Sequence, residues 1–463
     1  MSTHVAVRRP LVLSDPSRRR WGAALALTVA LVALPPAFAP AQEYEQEPIR
    51  YSQTQPANRV TQLIARLEAG KTKLHYEPGF GYLRSLLREL EVPVSSQVLV
   101  FSKTSLQRPR ISPHTPRALY FNDDMYVGFC QQGEVLEISA VDPKLGTVFY
   151  TLAQDEFEPV KFVRQSDNCL ICHGSSQTKE VPGHLIRSVF VDPGGLPILS
   201  AGTYRIDHTS PFEKRWGGWY VTGTHGPQKH LGNLVIEGRS VPDELDNSAG
   251  MNLTRLDEHF ATAAYLTGHS DIVALMVLEH QADAHNLITR ANFLTRQAVH
   301  HQQMLNRELG EPADRVWDST KSRIKSANEP LVEYLLFSGE AELTHRVVGT
   351  SGFAEEFAAR GPHDPQGRSL REFDLERRLF KYPCSYLIYS PSFEALPIES
   401  KEYVFRRMDE VLGGVDATNK FGHLTANDRR AIREILEATL PAWQQFKSGA
   451  FKQPTAAPAA VKH

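Results

Sequence analysis

The feature that most limits how this chain can fold is a change in the period of its apolar residues near Asp243. From Gln97 onward, short β-type runs follow one another: Val98-Leu99-Val100-Phe101, Ala118-Leu119-Tyr120-Phe121, Tyr126-Val127-Gly128-Phe129, 135–140 and Val148-Phe149-Tyr150. Asn122-Asp123-Asp124, Gln131-Gln132-Gly133 and Asp142-Pro143-Lys144 punctuate them as turns. Further runs at 185–191, 198–206 and 219–222 are separated by Asp192-Pro193-Gly194-Gly195 and Ser210-Pro211. Connections this short join antiparallel strands. Beyond Asp243, Ile272, Met276, His280, Leu287, Ala291, Leu294, Ala298, His301 and Leu305 recur at helical steps, which predicts one long helix or two in line.

The fold class expected is therefore α+β, with a mostly antiparallel sheet domain over 95–240 followed by a mainly helical domain over 241–452. Helical spacing at 60–68 and 82–90 marks an N-terminal helical segment, 42–94. Thr425, followed three residues on by Asp428, predicts a capped helix that buries Ile432, Ile435, Leu436 and Leu440 before Pro441. The Ala/Pro-rich tail, 453–463, lacks the composition for a core and is expected to be disordered.

Inside the sheet region lies Cys169-Leu170-Ile171-Cys172-His173, a Cys-x-x-Cys-His run. Two intervening residues place both thiols on one side of a short turn, where they can bond to the vinyl groups of one haem while the adjacent imidazole ligates its iron. Zinc would need a second Cys/His pair, yet Cys130 and Cys384 stand 39 and 212 residues away. A thioredoxin-type dithiol would sit in a βαβ unit, whereas Gly174-Ser175-Ser176 and a strand-like run follow here. Cys130 and Cys384 are either a disulfide pair or two buried free thiols.

At the N-terminus, Arg18-Arg19-Arg20 precede a run of about 14 apolar residues that ends at Pro35-Pro36, and Ala39-Pro40-Ala41 precedes Gln42. This reads as an export signal, 1–41, removed before Gln42. The run is short of the roughly 20 apolar residues that span a bilayer, so no stable membrane insertion is expected. Export and thiol chemistry agree in placing the chain in an oxidising compartment, a bacterial periplasm. Without 1–41 the chain carries 46 Lys and Arg against 52 Asp and Glu, a net charge near −6. That disfavours nucleic acid as a partner, which would call for a basic stripe, and leaves open a basic patch on a redox partner protein.

At Cys169, Cys172 and His173 the chain resembles the c-type cytochromes, which implies covalently attached haem c, with His173 as proximal iron ligand, and electron transfer. It departs from small class I cytochromes, which carry the motif near their start and supply a methionine downstream. Its surroundings look more like large exported bacterial proteins with one haem site, or sensor domains that carry a c-haem on a PAS-like sheet. The reading that follows is a periplasmic monohaem electron carrier. The alternatives are a peroxidase-like or dehydrogenase-like haem oxidoreductase, with a small-molecule substrate held by the helical region, or a haem-based ligand sensor.

The sixth iron ligand separates these readings. His225, between Gly223 and Gly226, ranks first as a candidate distal ligand, then His184 and His230, with His208, Met125 and Met251 behind them. Trp216-Gly217-Gly218-Trp219-Tyr220 can wall a haem pocket, and Arg187, Arg205 and Arg215 can pair with propionates. Glu279-His280, His285 and His300-His301 form a second histidine-rich group, read as hydrogen-bonded core residues and not as a metal site.

Overall fold

The structure is a computed structural model that describes residues 42–238 and 240–451; the expected export segment 1–41 and tail 453–463 lie outside them. Asn58 starts helix α1 (Arg59–Glu68) by accepting from the N–H groups of Val60 and Thr61, with Thr61 returning the bond as a capping box. Helix α2 (Leu83–Glu89) follows.

Seven strands then form one wholly antiparallel sheet: β1 (Val98–Val100), β2 (Arg117–Phe121), β3 (Met125–Phe129), β4 (Val135–Asp142), β5 (Gly146–Ala153), β6 (Phe162–Gln165) and a late strand. The order is β6-β5-β4-β3-β2-β1-β9, where β9 (Trp219–Tyr220) pairs with β1. Between the edges the chain makes a long excursion. It carries the one-turn helix α3 (Leu170–His173) and a two-residue hairpin of β7 (Arg187–Ser188) and β8 (Tyr204–Arg205). The fold class matches the sequence expectation, with two local differences. Strand β6 has no apolar alternation to announce it, and the runs 185–191 and 198–206 pair over only two residues each; the short turn of the motif is one turn of helix.

Because side chains alternate along a strand, register sorts the sheet into two faces. Leu99, Phe101, Ala118, Tyr120, Val127, Phe129, Leu136, Ile138 and Leu152 pack with Val60, Leu63, Leu83, Leu86 and Leu87 of α1 and α2. Val98, Val100, Phe121, Tyr126, Val141 and Trp219 point the other way, into a core shared with Ile272, Val273, Met276 and Val277. That core thus joins residues from both sides of position 240.

Helix α4 (Ile272–Leu309) runs 38 residues, about 57 Å at 1.5 Å per residue. Asp271 caps its start, accepting from Val273 and Ala274, and Gly310 ends it in the left-handed region at φ 66°. The single long helix agrees with the periodicity, but its first five turns do not present one apolar face. Every residue from Ile272 to Thr289 is buried. The sheet lies on one side, while α5 (Asp318–Leu335), α6 (Phe353–Ala359), α7 (Pro391–Glu394) and α8 (Ile398–Leu412) cover others. Helices α9 (Ala426–Thr439) and α10 (Pro441–Lys447) pack on α8, and Thr425 and Asp428 form the predicted capping box. Among the described residues no helix is long and apolar enough to cross a membrane.

Candidate functional site

Strand β6 delivers the chain to Cys169, whose carbonyl accepts the N–H of His173 at 2.9 Å and so winds 169–173 into one helical turn. Leu170 is the buried side of that turn; Ile171 is 74 % exposed and Cys172 is exposed. Gly174 follows where a Cβ would come within 2.5 Å of the Tyr44 hydroxyl oxygen, so the turn is closed against the N-terminal segment. The thiols of Cys169 and Cys172 are both free. Burial, with Glu137 nearby, pushes the Cys169 thiol up to about 11. A dithiol redox centre needs the opposite, a thiolate stabilised near neutral pH.

The His173 ring lies against Phe149, centroids 4.9 Å apart, and its Nδ1 sits 3.0 Å from the carbonyl oxygen of Gly183. A carbonyl only accepts, so Nδ1 carries the proton and Nε2 carries the lone pair. Nε2 has no hydrogen-bond partner among the described residues. Burial, with Arg117 and Arg187 adding to it, lowers the pKa of His173 to about 4. The ring is therefore neutral at pH 7 and presents a lone pair, the state an iron or zinc ligand requires.

Three residues hold that ring in place. The Pro182 carbonyl accepts the N–H of Thr147 on β5 at 3.0 Å, Gly183 N–H donates to the His173 carbonyl at 2.8 Å, and His184 N–H donates to Asn286 Oδ1 on α4 at 2.9 Å. Sheet, motif helix and central helix thus meet at 182–184. Gly183 has no room for a side chain, since a Cβ would fall 2.1 Å from Asn286 Oδ1.

The candidate distal histidines are all committed elsewhere. His184 is buried, with Nε2 2.9 Å from Ser139 Oγ, Nδ1 3.3 Å from Thr147 Oγ1 and its ring on Tyr126. His225 Nε2 accepts the N–H of Asn252 at 3.1 Å, and His230 Nδ1 accepts the N–H of Gly232 at 3.0 Å. Their lone pairs are therefore used, leaving His225 Nδ1 and His230 Nε2 as buried N–H groups without partners. These two rings pack on each other, centroids 4.8 Å apart, and on Phe212, not on His173. His208 pairs through Nδ1 with His280 Nδ1 at 2.8 Å, while Met125 lies in the core and Met251 is half-buried.

Of the three arginines, Arg187 stands near His173 with no side-chain partner among the described residues. Arg205 reaches the Gln177 carbonyl and Asp283, and Arg215 is buried against Glu279. The Trp216 indole donates to Glu279 at 3.1 Å, so it walls that ion pair and not the motif. Only Trp219 of the aromatic run reaches toward the site, donating to the Arg187 carbonyl at 2.8 Å. In the second histidine group, His280 is buried and bonded to Ser385 Oγ at 2.8 Å, His285 bonds the Asp123 carbonyl at 2.8 Å, and His301 is exposed.

Sequence reasoning missed Phe149, Gly183, Asn286 and the Arg117–Glu137 ion pair, 2.6 Å, which lies close to both Cys169 and His173. The ion pair left a trace: both residues stand on the face of β2 and β4 that turns toward α4, at positions otherwise given to apolar or small side chains.

The donor set fits a covalently held haem: two unpaired thiols on one turn, a neutral imidazole with Nδ1 anchored and Nε2 open, and an unpaired Arg187 for a propionate. Among the described residues, seven of the fifteen exposed large apolar side chains fall between 157 and 204: Phe157, Val160, Val163, Ile171, Leu196, Leu199 and Tyr204. For zinc, no group of three or more His, Cys, Asp or Glu side chains placed to hold a metal ion is present among the described residues. No known protein family, no curated protein and no solved structure matches the chain.

Proposed function

We propose that the chain is an exported, periplasmic c-type cytochrome with one haem, tethered through thioether bonds to Cys169 and Cys172 and ligated by Nε2 of His173. When bound, the haem supplies one-electron chemistry at iron. The protein's part is to fix the tautomer of His173 through the Gly183 carbonyl and back the ring with Phe149. The motif's outer side stays at the surface, where Ile171 and Cys172 leave an edge open to a redox partner. The observation that carries this reading is the open Nε2 of His173, in the tautomer a ligand needs and beside the two free thiols.

A second reading is favoured by the commitments of His184, His225 and His230. With their ring nitrogens engaged, these three histidines would not serve as a second protein ligand to a bound haem, which would suit the haem to binding water or a small exogenous ligand, as in a haem oxidoreductase or sensor. Absorption spectra of the oxidised and dithionite-reduced protein, from a cytochrome-maturing host, decide between the two, together with a haem stain on a denaturing gel. A stain lost in Cys169→Ser or Cys172→Ser establishes covalent attachment. Sharp low-spin bands support the carrier and high-spin bands the second reading, while a colourless, unstained protein rejects both.

A further inference from the structure

We propose that Asn286, in the middle of α4, is a positioning residue for His173, acting through the single peptide unit between Gly183 and His184. The carbonyl of that unit accepts from His173 Nδ1 at 3.0 Å, and its N–H donates to Asn286 Oδ1 at 2.9 Å. The two bonds lie at opposite ends of one polarisable amide. Donation from the N–H drives electron density onto the oxygen, so each bond strengthens the other. Asn286 also closes the clamp, its Nδ2 donating to the His184 carbonyl at 2.8 Å, which fixes which end of its amide faces which group. Gly183, His184 and Asn286 are buried and His173 is half-buried, so water dilutes the bonds on the Asn286 side least.

The consequence is a line of influence from the central helix to the candidate ligand. A stronger acceptor at Gly183 draws the Nδ1 proton toward it, which gives the ring more imidazolate-like character and makes Nε2 a better electron-pair donor. A ligand of that kind favours ferric over ferrous iron and lowers the reduction potential. The redox consequence rests on the haem reading, whereas the control of the His173 tautomer does not.

The test uses Asn286→Leu, close in size but unable to accept or donate, and Asn286→Asp, which keeps an oxygen for the His184 N–H. Asn292→Leu serves as a comparison, because Asn292 is a buried residue of the same helix that donates to the Pro143 and Ala395 carbonyls and accepts from Arg296, none of which touches 182–184. In full-length protein carrying Cys169→Ser and Cys172→Ser, and so free of covalent haem, ring ¹⁵N shifts report the His173 tautomer. The wild-type background is expected to show the Nδ1–H form. Asn286→Leu should shift population toward Nε2–H, Asn286→Asp should restore the Nδ1–H form, and Asn292→Leu should leave it unchanged. In the haem-loaded protein the potential should move to more positive values in Asn286→Leu and return in Asn286→Asp. If Asn286→Leu does not fold, Asn286→Ala takes its place. Equal shifts in Asn286→Leu and Asn292→Leu, or an Nε2–H form in the wild-type background, would overturn the proposal. A protein that shows the tautomer shifts but takes up no haem would leave this proposal standing and reject the cytochrome reading.

Discussion

Arg215 and Glu279 form an ion pair with side chains only 3 % and 0 % exposed, so removing one partner strands the other. Arg215 also donates from Nε and Nη2 to the Ser210 carbonyl at 2.9 and 2.7 Å, and from Nη2 to the His208 carbonyl at 3.2 Å. Replacing it in Arg215→Met keeps most of the volume while leaving a buried Glu279 carboxyl group whose remaining hydrogen bond among the described residues comes from Trp216. Breaking a buried pair in this way costs about 3–5 kcal/mol. The double variant Arg215→Met/Glu279→Leu removes both charges, and the coupling between the two changes is expected to be about 2–3 kcal/mol. Burial raises the pKa of Glu279 from 4.5 to about 8 even with Arg215 beside it, and losing Arg215 raises it further. A carboxyl whose folded value lies above its unfolded value is most compatible with folding below about pH 4.5, and stability falls as pH climbs toward and past 8. At pH 5 the folded Glu279 carboxyl is protonated with or without Arg215, so the Arg215→Met penalty should be smaller there and grow as pH passes 8, where Arg215 favours the ionised form. Urea unfolding followed by tryptophan fluorescence measures both. A penalty under about 1 kcal/mol at pH 8, or single costs that simply add in the double variant, would refute the reasoning.

Asp271 caps α4 with Oδ1, while Oδ2 takes the N–H groups of Thr350 and Ser351 at 2.6 and 2.8 Å; Asp271→Ala is expected to lower stability by about 2–4 kcal/mol in chemical denaturation. Thr425→Ala removes a cap at an exposed helix start and should cost only about 1 kcal/mol, a contrast the same assay resolves. Burial lowers His173 and His285 to about 4, so both stay neutral in the folded chain while their unfolded forms take up protons below about 6.5. Stability from these groups is present above that value and lost as pH falls toward 4, so the urea midpoint should drop steeply between pH 6.5 and 4.5.

What could be read ahead of the structure followed from local patterning. Strands β1 to β5 and helices α1, α4 and α9 announce themselves through composition, period and caps, because each buries a regular set of side chains. Strand β6 escapes because its sequence, Phe162-Val163-Arg164-Gln165, is half polar and lies at an edge, where solvent takes one side. The histidines between Glu279 and Asn286 read as hydrogen-bonded core and the whole run is buried, but its partners, Arg215, Ser385, Tyr126 and the 183–184 peptide, come from segments 64 to 155 residues away, which no local pattern identifies. The motif itself was legible at Cys169, Cys172 and His173. Which histidine nitrogens remain free was not, since that depends on backbone donors such as Asn252 and Gly232 that no spacing rule reveals.

The strand order has a further consequence for how the chain is made. The motif lies between the two edges of the sheet in sequence: β6 just precedes it, and β9, which seats the far edge beside β1, comes only at residue 219. The clamp on 182–184 waits longer still, for Asn286. A chain that appears amino end first therefore presents its two cysteines well before the parts that lock them down exist. Enzymes that act on those thiols would meet a pliable segment, and folding of the central helix would then seal the result.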